Sequence, residues 1–260
     1  MAYDMIIASV DAGVGTITLN RPDKMNAVNP HMFKEMVEAL YGFPEQGVRA
    51  VLLRAEGRGF CTGTDLDMRG AMSGPIDAGA MLEESYHPAL QKIAASPLPM
   101  VAAVQGPAAG IGVSLALTCD FVVAAKSSYF LQAFANIGLV PDGGSTWHLP
   151  RLVGRARAAE LMMLAERLPA EKAAEWGMIY KAVDDDALAG EALALAQRLA
   201  AGPTRALGLI RRGIARSAEM TLSEAMHMER EHQGEAGRTS DFMEGVGAFM
   251  QKRKPQFTGN

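Results

Sequence analysis

The stretch Gly106–Asp120, read GPAAGIGVSLALTCD, carries residues whose types and spacing could stabilise an anion. Gly106, Gly110 and Gly112 stand among Pro107, Ala108 and Ala109, and Ile111 is the one bulky side chain in the turn. From Val113 onward the run is apolar and suits a helix. A small-residue turn opening into a helix leaves its first N–H groups without intrahelical acceptors. With the positive end of the helix behind them, such groups can hold developing negative charge. The glycines let a substrate approach the backbone closely. The same composition also serves close packing, and the residues alone leave both readings open. Asp142, between Pro141 and Gly143-Gly144, is well placed to cap a helix. Ser114 lacks a Gly-x-Ser-x-Gly setting, which argues against a serine hydrolase. His31, His87, His148, His227 and His232 form no metal-ligand spacing, so no metal is expected.

The elements that would position these residues read as alternating strands and helices. Met5–Asp11 and Val14–Asn20 alternate as paired strands about Ala12-Gly13. Asn29 caps a helix with Pro30 at its first position and Phe33, Met36, Val37 and Leu40 on its apolar face. Ala50–Ala55 is a buried strand running into the glycine-rich loop 56–66. Met68–Asp77 carries weak signals. Tyr86, Leu90 and Ile93 mark a further helix. Met100–Gln105 and Phe121–Ala125 are strands on either side of the central stretch. Helices are expected at Ala156–Glu166 and Ala170–Trp176, and a strand at Met178–Val183. From Asp186 on the periodicity is helical, with Thr221-Leu222-Ser223-Glu224 as a capping box. Gly202-Pro203 is the internal boundary.

Ser96–Cys119 contains no charged residue and is long enough to span a bilayer as a helix. Pro97, Pro99, Pro107, the three glycines and Gln105 break it, so it reads as buried strand, turn and helix and not as a membrane span. The 260 residues, 49% hydrophobic, allow one sizeable core with at most a small appended unit. A formal net charge of −4 gives no footprint for nucleic acid. Cys61 and Cys119 make no disulfide framework, and Met1–Val10 has no secretory pattern. A cytoplasmic location is therefore expected. The 17 methionines are core filler, some of them suited to an adaptable acyl pocket.

Several landmarks stand in one order: Asn20-Arg21-Pro22-Asp23-Lys24-Met25-Asn26-Ala27, Phe60-Cys61-Thr62-Gly63-Thr64-Asp65-Leu66, Gly106–Asp120, Gly138–Gly144 and Ala170–Met178. Together they resemble the crotonase, or enoyl-CoA hydratase/isomerase, superfamily over essentially the whole chain. The resemblance implies an α/β fold, a crotonase-like spiral of ββα turns over residues 1–202. It also implies a C-terminal helical oligomerisation region over 203–260 that builds homotrimers or homohexamers. It implies an acyl-CoA thioester substrate, with coenzyme A part of that substrate and no separate cofactor.

Carried over position by position, the resemblance makes the backbone N–H groups of Thr64 and Ile111 an oxyanion hole. It makes Lys24, Asn26, Ala27, Thr62, Asp65 and Leu66 the coenzyme A loops, with Gly110 and Pro141 beside the thioester. Lys252 would reach a neighbour's coenzyme A phosphate. Hydratases of the superfamily carry two glutamates where this chain has Ser114 and Phe134, which speaks against hydration. Isomerase branches place their single acidic base at or near Asp142, where burial beside Phe134 and Trp147 would raise its pKa. From Phe134 to the tail Phe249–Gly259 the chain most resembles the ring-1,2-epoxyphenylacetyl-CoA and 3,2-enoyl-CoA isomerase branch. The implied activity is an acyl-CoA isomerase. The alternatives are a 2-enoyl-CoA hydratase, a dehalogenase- or hydrolase-like member with Asp142 as nucleophile, and a non-catalytic acyl-CoA-binding protein.

Overall fold

In a computed structural model of the chain, residues 3–65 and 77–260 are described. The strands are β1 (Ile6–Asp11), β2 (Val14–Leu19), β3 (Ala50–Ala55), β4 (Met100–Val104), β5 (Pro107–Ala109), β6 (Phe121–Ala125), β7 (Tyr129–Leu131), β8 (Leu168–Pro169) and β9 (Lys181–Val183). The main helices are α1 (Pro30–Gly42), α2 (His87–Ala94), α3 (Ile111–Leu117), α4 (Ser145–Ala159), α5 (Ala170–Glu175), α6 (Leu188–Ala200), α7 (Thr204–Ser217), α8 (Leu222–Ala236) and α9 (Ser240–Met250).

One sheet runs β1-β2-β3-β4-β6-β9, antiparallel between β1 and β2 and parallel from β2 onward. Its register sets Val14 opposite Ala50, Val51 opposite Met100, Val101 opposite Phe121 and Val123 opposite Lys181. A smaller sheet pairs β5 with β7 in parallel and β7 with β8 antiparallel. Successive strand side chains point to opposite faces, and the central parallel strands β4 and β6 are apolar on both because both are covered. Leu19, Val51, Leu53, Ala102 and Val104 join the core that includes α1, α2 and α3. Val14, Ala50, Leu52, Val101 and Val123 pack with Leu188, Ala192, Ala196 and Ala200, a four-residue repeat that gives α6 one small-residue face.

Capping fixes the helix starts as the sequence indicates. Asn29 accepts from Met32 N at 2.9 Å, with Pro30 first in α1. Thr221 and Glu224 close a capping box at α8. Beyond Gly202, two arginines tie the C-terminal helices to the sheet. Arg49 donates to Thr204 Oγ1, Phe257 O and Gly202 O. Arg211 donates to Asp120 and to the carbonyls of Ala94, Ser96 and Thr118.

The structure corrects several boundaries. Pro107–Ala109 is a strand, β5, and not part of a turn, and α3 opens at Ile111 instead of Val113. The small residues let β5 lie against Cys61 on one side and β7 on the other. The helix expected at Ala156–Glu166 begins eleven residues earlier, at Ser145, with Pro150 inside it and a break at Gly154 (φ 78°, ψ 163°). The strand expected at Met178–Val183 is confined to Lys181–Val183, because Gly177 turns the chain at φ 75°.

Candidate active site

Loop 60–65 lies between α1's approach and β5. Phe60 N donates to Pro107 O at 3.1 Å and Ala109 N to Cys61 O at 2.8 Å, so the loop extends the small sheet. Val28 N donates to Gly63 O and Asp65 N to Val28 O, each at 2.8 Å. That ladder brackets Thr64 and turns its own N–H away from Val28. Ile111 is the first residue of α3, where the helix supplies no acceptor. Among the described residues neither the Thr64 nor the Ile111 N–H has an acceptor.

The two amides are neighbours in space. Gly110 has φ 54° and ψ −129°, and a Cβ there would stand 3.8 Å from Gly63 Cα and 3.6 Å from the Phe134 ring. Gly110 N donates to Leu131 O at 2.9 Å, which fixes the chain just before Ile111. The arrangement offers two fixed N–H donors, one with a helix start behind it, beside an aromatic wall. Such a pair suits a carbonyl oxygen that becomes negatively charged.

Asp142 is brought to the same place by the residue after it. Gly143 (φ 58°) packs its backbone on α3, so that a Cβ there would be 2.9 Å from both Ile111 Cγ1 and Ser114 Cβ. The Asp142 carbonyl accepts from Ser114 Oγ and from Ser145 N, each at 3.0 Å. Ser114 Oγ and Ser145 Oγ are 2.7 Å apart, and Gln132 Nε2 donates to Ser145 Oγ at 3.0 Å. Ser114, Ser145 and Gln132 are all buried. Asp142 itself is partly buried. The N-cap of α4 is Gly144 and not Asp142, whose part in the helix start is its carbonyl.

With the amides, Phe134 and Asp142 gathered, sequence comparison decides the family. Residues 9–260 match the sequence profile of the family described as enoyl-CoA hydratase/isomerase. The chain belongs to that family. It is 46% identical to the 1,2-epoxyphenylacetyl-CoA isomerase of Escherichia coli K12, over 98% of this chain and 99% of that one. It is 44% identical to a Rhodobacter capsulatus protein named "Probable enoyl-CoA hydratase", over the full length of both. The crystal structure of an enoyl-CoA hydratase from Polaromonas sp. JS666 superposes with a TM-score of 0.90 at 35% identity, covering 97% of this chain and 99% of that one. The fold is thus the crotonase-type α/β spiral of the enoyl-CoA hydratase/isomerase family, with helices at its C-terminus.

The remaining positions singled out in the sequence divide between contact surface and scaffold. Lys24 is exposed at the end of a short 3-10 turn, Pro22–Lys24. Asn26 is fully buried and its side chain is spent on the loop. It accepts from Arg21 N and donates to the carbonyls of Glu56 and Gly59, all at 2.8 Å. The Ala27 carbonyl and the Asp65 carboxylate both accept from Arg21, at 2.6 Å. Thr62 closes the loop on the Met25 carbonyl. These two loops are therefore locked to each other. Met25 and Asn26 both hold left-handed backbone, at φ 50° and 54°. Pro141 is partly buried directly before Asp142. Lys252 is exposed in the turn after α9. Leu66 lies outside the described residues, as does most of the Met68–Asp77 stretch.

Gln132 and Ser145 escaped the sequence reading. A single polar residue within an apolar run, such as Ser114 in IGVSLAL, was the available signal for that network. A three-residue cluster adds Asp4 to a pair spaced four apart on α1: Asp4, His31 and Glu35 bring ligand-type atoms within 4.8 Å of one another. Glu35 already accepts from Asp4 N and Met5 N at 2.8 and 2.9 Å, which anchors the entry to β1.

Proposed function

We propose that this protein is an acyl-CoA isomerase that works through a thioester enolate. The observation that carries the reading is the packing of Gly143 on Ile111 and Ser114, which sets the backbone of Asp142, the one acidic residue of that loop, against the helix that begins with the Ile111 amide. Asp142 takes a proton from the carbon next to the thioester carbonyl. The Thr64 and Ile111 N–H groups stabilise the enolate oxygen, a contribution of about 3–4 kcal/mol for each donor. Asp142 returns the proton at another carbon of the conjugated system, which moves a double bond from the 3- to the 2-position. A ring-1,2-epoxyphenylacetyl-CoA is the second substrate class, converted to the oxepin; it is supported by the likeness to the Escherichia coli isomerase.

Hydration asks for one group to take a proton from water and another to give one to carbon. Ser114 gives its hydroxyl proton to a carbonyl and Phe134 has nothing to offer. The contrary support is the hydratase name carried by the Rhodobacter capsulatus relative. A panel of acyl-CoA thioesters separates the readings: 3-enoyl-CoA should isomerise far faster than crotonyl-CoA is hydrated. Equal or faster hydration would reverse the assignment.

Coenzyme A would lie along the locked loops, with Lys24 toward a phosphate and the backbone about Ala27 and Thr62 toward the adenine. Lys252 would come from a neighbouring subunit. Residues 203–260 are assigned to assembly as a homotrimer or homohexamer, because Ile210, Ile214, Met226, Phe242 and Phe249 expose apolar surface from α7, α8 and α9. Sedimentation as a monomer at micromolar concentration would overturn that assignment. No helix among the described residues is long and apolar enough to cross a membrane, which fits action on a water-borne thioester in the cytoplasm.

A further inference from the structure

We infer that Ser114, Ser145 and Gln132 are positioning residues that hold the proton-transferring loop in register with the oxyanion amides; this rests on Asp142 being the base. Asp142 is followed by two glycines in left-handed conformation, Gly143 at φ 58° and Gly144 at φ 87°, so its own segment has little intrinsic stiffness. The hydrogen bonds to its carbonyl add stiffness to the packing of Gly143 on α3.

The direction of that chain follows from the donors available. A carbonyl only accepts, so Ser114 must spend its one hydroxyl proton on Asp142 O. The 2.7 Å contact between the hydroxyls then requires Ser145 to donate to Ser114. With its own proton spent, Ser145 accepts from the Gln132 amide nitrogen. All donors point the same way, Gln132 to Ser145 to Ser114 to Asp142, the arrangement in which successive hydrogen bonds polarise one another. Reversing any one member leaves two acceptors facing each other. The fixed direction turns the Gln132 oxygen away from Ser145, and among the described residues Oε1 has no partner.

Ser114 sits one turn after Ile111 on α3. The helix that supplies one oxyanion N–H therefore also grips the peptide bearing the base. Base and oxyanion hole share one rigid reference, and Ser145, first residue of α4, links it to the helix that follows Asp142. Loss of the chain would let the carboxylate drift while the coenzyme A loops stay in place, and misplacement by about 1 Å can cost roughly 100-fold in rate.

The test is Ser145→Ala and Gln132→Met, each assayed on the full-length protein with a 3-enoyl-CoA, alone and combined with Asp142→Asn. Each single variant should lower kcat by roughly 10-fold or more with KM within about twofold, the signature of an orientation defect. Ser145→Thr, which keeps the hydroxyl, should recover kcat. Gln132→Met should melt at or above wild type, because it removes a buried acceptor without a partner. In the Asp142→Asn background neither variant should lower the residual rate further. Wild-type kcat in both single variants, or an undiminished loss in the Asp142→Asn background, would overturn the inference. Wild-type turnover in Asp142→Asn alone would instead remove the isomerase reading beneath it.

Discussion

Gly143→Ala should cripple the enzyme through a single methyl group. Its Cβ would lie 2.9 Å from Ile111 Cγ1 and Ser114 Cβ and 3.0 Å from Ser114 Oγ. Carbon atoms rest at about 3.5–4.0 Å, so loop and helix must part by roughly 0.6–1 Å. Overpacking of this kind costs about 1–3 kcal/mol, and a non-glycine residue at φ 58° adds about 1–2 kcal/mol. The displacement carries Asp142 away from the Thr64 and Ile111 amides, and a shift of that size is worth roughly 100-fold in rate. Gly144→Ala is the matched control. It has φ 87°, and its Cβ would meet only the His148 ring, at 3.4 Å, so it carries the backbone strain without the collision. Both variants should melt below wild type, but only Gly143→Ala should lose isomerase turnover by roughly two orders of magnitude. The assay is steady-state turnover of a 3-enoyl-CoA beside a melting curve. Equal turnover in the two variants would refute the claim that close contact with α3 aligns the base.

Three further outcomes follow from particular side chains. Burial, with the Arg151 charge adding to it, holds the His148 pKa below the ordinary imidazole value. The unfolded chain therefore takes up that proton more readily, so the contribution of His148 is full above about pH 6.5 and is lost as pH falls below it; His148→Gln should flatten the fall in melting temperature between pH 7 and 5, and an unchanged slope would count against it. Arg211→Met should destabilise by about 2–4 kcal/mol in denaturant, because the carbonyls of Ala94, Ser96 and Thr118 lose a charged donor; a loss below about 0.5 kcal/mol would show that the C-terminal helices are held by packing alone. Burial pushes the Cys61 and Cys119 thiols up to about 12, so neither should react with iodoacetamide at pH 8 until the chain unfolds.

Where local chemistry dictated structure, the sequence was readable. Asn29-Pro30 and Thr221–Glu224 are caps with their own hydrogen bonds, and they start α1 and α8 as expected. Ala50–Leu53 and Phe121–Ala125 are unbroken apolar runs, and the bounds of both strands, Ala50–Ala55 and Phe121–Ala125, agree to the residue. The failures share a different cause. β7 and β8 have three and two residues, too short for any periodicity; β7 pairs on the edge of β5, and β8 on the edge of β7. Pro150 reads as a helix breaker, yet α4 runs through it and breaks instead at Gly154. In the site, what Thr64 and Ile111 offer is backbone N–H, so only the surrounding glycines and the family likeness marked them. Asp142 was marked by Pro141 and Gly143-Gly144. Gln132 and Ser145 matter through contacts across 13 and 31 residues of chain, which no local pattern encodes.

The most direct test of the central claim is solvent deuterium exchange at the carbon next to the thioester in Asp142→Asn, measured with a binding isotherm and a melting curve. The amide keeps the size of the side chain, and the carbonyl that accepts from Ser114 and Ser145 is untouched. Acyl-CoA affinity and melting temperature should stay near wild type while exchange falls by roughly 100-fold or more, the low end for losing a positioned base. Exchange at the wild-type rate in a folded, ligand-binding Asp142→Asn protein would contradict the account.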